Sequence, residues 1–177
     1  MDSALGVRHR RDAPRAQVRV DSVDGLPNRD LPLSVSDLGA VVGPEAARQL
    51  LSLPARFGRS CGDSEGWVDR SRSTVVGVFA RRYSADTLGS DQPWTSFHFD
   101  NAATTVNVAL SADADVHGGR LLGMYAGGVH VISRDAGEAT VHSSRLLHGV
   151  TRIRGGTRYS LIMFFAAGAA SRVTQKR

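Results

Sequence analysis

His98 and Asp100 stand two apart in Ser96-Phe97-His98-Phe99-Asp100, and a second imidazole, His148, stands in Leu146-Leu147-His148-Gly149-Val150. Alternate side chains of an extended strand project to the same side, so an imidazole and a carboxylate at this spacing share a face. A histidine from a distant strand then completes three ligands on one side of a metal. Two histidines and one carboxylate, with open positions remaining, form the donor set that selects non-haem Fe(II) for oxygen chemistry. Phe97 and Phe99 alternate with the pair and argue against a surface position for it. Coordination is one way to keep such polar groups on an inward face.

Four other histidines compete to be the third ligand. His9 falls in an arginine-rich opening stretch. His117 and His130 lie beside glycine pairs and read as exposed or hydrogen-bonded bystanders. His142 is the serious rival, with Arg152 ten residues on. His148 is favoured because Arg158-Tyr159-Ser160 follows it at the start of an apolar strand. Arg158 and Ser160 share one side of that strand, so a guanidinium and a hydroxyl can converge on one carboxylate. Arg152 and Arg154 flank a turn, where solvent is the natural neighbour. With no obvious acid nearby in sequence, Arg158 facing a metal pocket implies an anionic cosubstrate, for which its fixed fork of donors is well suited.

These residues need a scaffold of short strands. From Ser73 onward about eight are predicted: 74–83, 94–100, 104–110, 120–125, 129–134, 139–142, 146–153 and 157–166, separated by Gly-, Asp- and Pro-rich turns. That spacing signals a sandwich, barrel or jelly roll, whose mouth gathers ligands remote in sequence. Helix is expected only between Leu31 and Ala55: a weak segment from Asp37, then a better one from Pro44 that Pro54 should end. The polar stretches 58–73 and 84–93 read as loops.

The 177 residues suit one domain over 31–170, preceded by a flexible leader over 1–30. Composition is ordinary for a soluble protein, at 41% hydrophobic and 22% charged, and the single Cys61 excludes an internal disulfide framework. No apolar run approaches a membrane span or a signal peptide, so the expectation is a cytoplasmic protein without a membrane partner. The net charge of +5 is almost entirely arginine. Arg8, Arg10, Arg11, Arg15 and Arg19 crowd the start without interleaved aromatics for base stacking, so they read as a solvated leader rather than a nucleic-acid arm. Nothing in the sequence specifies an oligomeric state.

As an ordered set these motifs resemble the Fe(II)- and 2-oxoglutarate-dependent dioxygenases, in the prolyl 4-hydroxylase-like branch that includes lysyl hydroxylases. The match runs from about Val75 to Phe165. It takes in Arg82-Tyr83, His98-Phe99-Asp100, Thr105 to Ser111, Gly118-Gly119, Gly137, His148-Gly149-Val150 and Gly156 to Leu161. The resemblance implies a mainly β double-stranded β-helix (jelly roll) with a short N-terminal helical segment. It implies iron on His98, Asp100 and His148, and the distal carboxylate of 2-oxoglutarate on Arg158 with Ser160. Tyr83 and Asn107 would be further pocket residues, O2 the second cosubstrate and ascorbate an accessory. The implied reaction is hydroxylation of an amino-acid side chain, free or peptide-borne, or of a related small metabolite, with release of succinate and CO2. Halogenating relatives lack the carboxylate that Asp100 supplies.

Two departures bear on substrate. Thr95 stands where prolyl hydroxylases commonly carry a tyrosine, and the 84–93 loop is long. The loops Gly58–Ser73 and Ser84–Trp94 are the expected substrate lids, with Trp67 and Trp94 as walls. Two other readings remain open. One is a jelly-roll metal-binding module without 2-oxoglutarate turnover, its basic arm engaging an acidic partner. The other is a cupin-like enzyme that uses a metal without a keto acid.

Overall fold

A computed structural model describes residues 14–60, 69–85 and 92–168. His9, Cys61, Trp67, half of the first expected lid and most of the second lie outside those residues. The strands are β1 (Gln17–Val20), β2 (Pro27–Pro32), β3 (Asp69–Ser84), β4 (Thr95–His98), β5 (Thr104–Ala109), β6 (His117–Gly118), β7 (Leu121–Tyr125), β8 (Gly128–Ile132), β9 (Ala139–Ser143), β10 (Leu147–Val150), β11 (Ile153–Gly155) and β12 (Thr157–Gly168). Two helices, α1 (Val35–Val42) and α2 (Pro44–Ser60), precede β3.

The strands form a six-stranded antiparallel sheet, ordered β1-β2-β3-β12-β5-β9, facing a four-stranded sheet ordered β4-β10-β7-β8, with a small β6–β11 pair. This is the mainly β jelly roll that the resemblance implies, one of the three architectures the strand spacing leaves open. The large sheet has one face for the helices and one for the site. Val106, Val108, Leu161, Met163 and Phe165 pack with Leu38, Ala47 and the half-buried Leu50 and Leu53 of α1 and α2. Burying each of the larger side chains contributes about 1.5–3 kcal/mol. The intervening residues of the same strands, Thr105, Asn107 and Ile162, line a cavity on the opposite face.

Several local expectations change. The loop expected over 58–73 is entered from both ends, by α2 as far as Ser60 and by β3 from Asp69. Pro54 does not end α2 but lies inside it, fully buried. The apolar stripe of the helix against the large sheet outweighs the lost backbone bond, which costs about 3 kcal/mol. The boundary expected at residue 30 is crossed by structure, because β1 and β2 fall largely within the supposed leader and extend the large sheet. Their anchor is polar. Arg81 on β3 donates to both Asp30 oxygens, at 2.8 and 3.0 Å, and to Asp21 at 3.1 Å. Finally, the segment expected as one strand over 146–153 is split between β10 and β11. Among the described residues no helix is long and apolar enough to cross a membrane.

Candidate functional site

Pairing register brings the expected site residues together. His148 on β10 lies directly across from His98 on β4, and cross-strand partners present their side chains to the same face. Asp100 lies just beyond the end of β4 rather than on a strand, yet it turns its carboxylate to the same point. One donor atom from each of His98, Asp100 and His148 lies within 4.8 Å of the others, a group that could hold a metal ion. Nε2 of His98 is 3.5 Å from Asp100 Oδ1, and Nε2 of His148 is 3.6 Å from Asp100 Oδ2. Phe97 and Phe99 are exposed instead of forming a buried aromatic face, and Phe99 borders the cavity mouth.

The choice between His142 and His148 ends with both nearby. His142 on β9 points its Nε2 at Asp100 Oδ2 from 3.8 Å, and its ring centroid is 4.5 Å from that of His148. His148, not His142, belongs to the compact three-residue group. His117 is exposed, while His130 stacks on Tyr125 and bonds its carbonyl at 3.1 Å. Arg152 and Arg154 are exposed, as expected of a turn.

Hydrogen bonds set the chemistry of the three imidazoles. A carbonyl only accepts, so Nδ1–H of His98 donates to Ser96 O at 2.8 Å, that of His148 to Leu146 O at 3.1 Å, and that of His142 to Ser143 O at 3.1 Å. In the neutral tautomer each Nε2 then directs a lone pair toward Asp100. Lone pairs facing a carboxylate repel unless a cation lies between them, so the donor set fits a divalent metal. Burial opposes charge on His98, but Asp100 and the Ser96 carbonyl prevail and raise its pKa above its usual value. Burial keeps His142 and His148 below theirs. Asp100 is also pushed up by burial, but bonds from His98 and Thr105 and the fields of His148 and His142 hold it at about 2. The Thr105 hydroxyl donates to Asp100 Oδ2 at 2.6 Å.

Beyond Tyr83, at the end of the cavity away from the histidines, lies a buried cation, although neither Arg158 nor Ser160 is itself among the lining residues. Arg158 on β12 is paired with Tyr83 on β3, and Ser160 with Ala109 on β5. The guanidinium of Arg158, 3% exposed, lies 5.9 Å from the Tyr83 ring centroid. Its Nε donates to Ser160 Oγ at 3.4 Å and its Nη1 to Gly119 O, while Nη2 has no partner. Gly119 has φ of 64°, and a Cβ there would sit 2.7 Å from Ile153 Cγ1, so glycine is required where the backbone reaches Arg158. Burial lowers the Arg158 pKa, partly offset by Tyr83 and Asp113. A buried guanidinium with an idle donor and no ion pair is a fitting seat for a carboxylate. Tyr83 and Asn107 both line the cavity, of about 230 Å³, that also reaches His98, Asp100 and His148. Trp94 is not among the lining residues; the Arg152 guanidinium covers its ring at 3.8 Å.

Solved structures with the same architecture carry a telling set of names. A 2OG-Fe(II) oxygenase family oxidoreductase from Burkholderia pseudomallei is 18% identical, over 86% of this chain and 73% of that one, with a TM-score of 0.56. A Pseudomonas putida prolyl-4-hydroxylase is 14% identical over 86% and 79%, with a TM-score of 0.55. A Trichoplax adhaerens prolyl hydroxylase, solved with a hypoxia inducible factor peptide, is 18% identical over 79% and 63%, with a TM-score of 0.53. The fold is that of the 2OG-Fe(II) oxygenases. No protein-family model and no curated protein matches the sequence.

The 2OG-Fe(II) oxygenase fold supplies the frame; several partners within it escaped sequence reasoning. Thr105 alternates with Asn107 and lies across from His142, and its two-residue offset from a named pocket residue was the available signal. Asp21, Ser22 and Val23, from the turn between β1 and β2, form one flank of the cavity. Arg134, expected at the end of a strand, is instead buried beside Asn107.

Proposed function

We propose that this chain is an Fe(II)- and 2-oxoglutarate-dependent dioxygenase that hydroxylates an amino-acid side chain, free or peptide-borne, or a related small metabolite. The observation that carries the reading is the pairing of two groups in one jelly roll: a two-histidine, one-carboxylate cluster and a buried arginine with an unused donor. His98, Asp100 and His148 hold the metal. Arg158 and Ser160 receive the distal carboxylate of 2-oxoglutarate, with Tyr83 and Asn107 against its carbon chain. When bound, Fe(II) with 2-oxoglutarate and O2 supplies the oxidising power for C–H hydroxylation, with succinate and CO2 as co-products. Ascorbate serves as an accessory reductant.

The chain's own residues orient and exclude. The Nδ1–H bonds to Ser96 and Leu146 carbonyls fix both imidazoles with Nε2 inward. Thr105 occupies Oδ2 of Asp100 and thereby orients the carboxylate. Phe79, Phe164, Leu121 and Val150 make apolar walls that limit water around the site. Thr95, buried in the cavity lining, stands where prolyl hydroxylases commonly carry a tyrosine, and this favours a substrate other than the prolyl ring.

The test is succinate release from 2-oxoglutarate in the presence of Fe(II) and O2, with free amino acids, short peptides and small metabolites as candidate acceptors. The reading predicts 2-oxoglutarate-dependent succinate formation that Asp100→Ala abolishes. Turnover surviving in Asp100→Ala would refute the metal assignment. Metal-dependent turnover unchanged in Arg158→Ala would indicate an enzyme that does without the keto acid.

A further inference from the structure

Arg134 is 3% exposed, as buried as Arg158, and neither forms an ion pair among the described residues. Its Nη1 donates to Asn107 Oδ1 at 2.8 Å, while Nε and Nη2 have no partner. An always-charged group held out of water with two idle donors is costly, and natural interiors rarely keep one without an anion.

A chain of contacts runs from this arginine to the other, past the Asn107 and Tyr83 end of the cavity, whose lining includes neither arginine. Arg134 bonds Asn107, which lines the cavity with Tyr83, Leu121 and Ile162. The turn following Arg134 holds Ala109 on both sides, through Gly137 N–H to Ala109 O at 2.7 Å and Ala109 N–H to Glu138 O at 2.9 Å. Ala109 is the cross-strand partner of Ser160, whose hydroxyl accepts from Arg158. On the other side, Asp113 N–H donates to Arg134 O at 3.0 Å, Arg120 donates to Asp113 O, and the adjacent Gly119 O accepts from Arg158. This ring carries three guanidiniums and two carboxylates. Asp113 is already engaged by Arg120 at 3.7 Å and by the Arg134 backbone N–H at 3.3 Å, and Glu138 accepts from the Asp135 backbone N–H at 2.9 Å.

We infer that Arg134 and Arg158 together form a two-arginine seat for the distal carboxylate of 2-oxoglutarate, with Asn107 fixing the second guanidinium. The inference rests on the dioxygenase reading above. A carboxylate has two oxygens and can accept from both idle donor sets, one from each flank. Arg134 is thus a cosubstrate-binding residue that selects keto acids bearing a second carboxylate.

The test is anaerobic equilibrium binding of 2-oxoglutarate and of pyruvate to the Mn(II)-loaded full chain. Pyruvate keeps the keto-acid head and lacks the distal carboxylate. Wild type should prefer 2-oxoglutarate strongly. Arg134→Gln should weaken 2-oxoglutarate by about tenfold to a hundredfold while pyruvate affinity stays within about twofold. Unchanged 2-oxoglutarate binding in folded Arg134→Gln, or equal losses for both acids, overturns the inference and leaves the dioxygenase reading standing. Wild type that binds neither acid overturns both. Should Arg134→Gln not fold, Arg134→Lys decides: the fork is gone but a cation remains, so selective weakening of 2-oxoglutarate supports the seat and wild-type affinity overturns it.

Discussion

The histidine cluster that lines the cavity and the arginines beyond Tyr83 and Asn107 meet burial in opposite ways. At the histidine end every charge has an answer within the protein, because Asp100 faces His98, His142 and His148 and accepts from Thr105. Asp100 raises the His98 pKa there against the effect of burial. At the arginine end no described residue supplies a matching partner. Arg134 and Arg158 are sealed from water with idle donors, and the two carboxylates of that shell, Asp113 and Glu138, are already engaged. The histidine end is complete in itself and accepts a cation by exchange for a proton. The arginine end is completed only by an incoming anion. Damage to the first should abolish chemistry, and damage to the second should show first in cosubstrate affinity.

Asp100→Ala is the most severe break in this contrast. Succinate release should fall to background, and calorimetric titration with Mn(II) should show metal affinity lost as well. Arg158→Gln comes next. Metal binding should persist while 2-oxoglutarate affinity drops by about a hundredfold, from the loss of a desolvated charge-assisted pair. Metal affinity falling equally in that variant would erase the distinction between the ends. Thr105→Val frees Oδ2 of Asp100 and should weaken metal binding by about ten- to a hundredfold, the usual effect of removing a partner of a ligand. In wild type, 2-oxoglutarate at about 100 times its Kd should stabilise the Mn(II) form by about 2.7 kcal/mol, a melting shift of about 5–10 °C. His142→Phe gives the smallest change. Its ring stays packed on His148, so Mn(II) affinity should remain within about tenfold of wild type, whereas His148→Phe should lose it. Equal losses would make His142 a ligand in its own right.

What could be seen in the sequence was whatever periodicity governs. His98, His148, Arg158 and Ser160 lie on strands, and alternation alone tells which face each takes, so both the metal group and the buried arginine were legible. Asp100 was found by the same rule although it lies past the strand end, where the rule does not strictly apply. Polar tethering hid the rest. In the first hairpin Val18 and Val20 alternate with polar residues yet are both exposed, and the hairpin is held by Arg81 to Asp21 and Asp30, which are 60 and 51 positions away. Arg134 follows an exposed strand and is drawn inward by a side-chain amide on another sheet. Pro54 sits in a helix that its local preference forbids, because packing on the sheet outweighs it. The exposed Phe97 and Phe99 show the limit of inferring burial from aromatic character.

The turn between the first two strands has a practical consequence for anyone shortening this protein. A chain begun at residue 33 would retain both imidazoles, the acid and both buried guanidiniums. It would nevertheless lose Asp21, Ser22 and Val23 from the flank of the reaction chamber, and Arg81 would lose both of its acids. Such a fragment should still take up metal but hold its reactants beside bulk water, consuming keto acid without coupling that consumption to product.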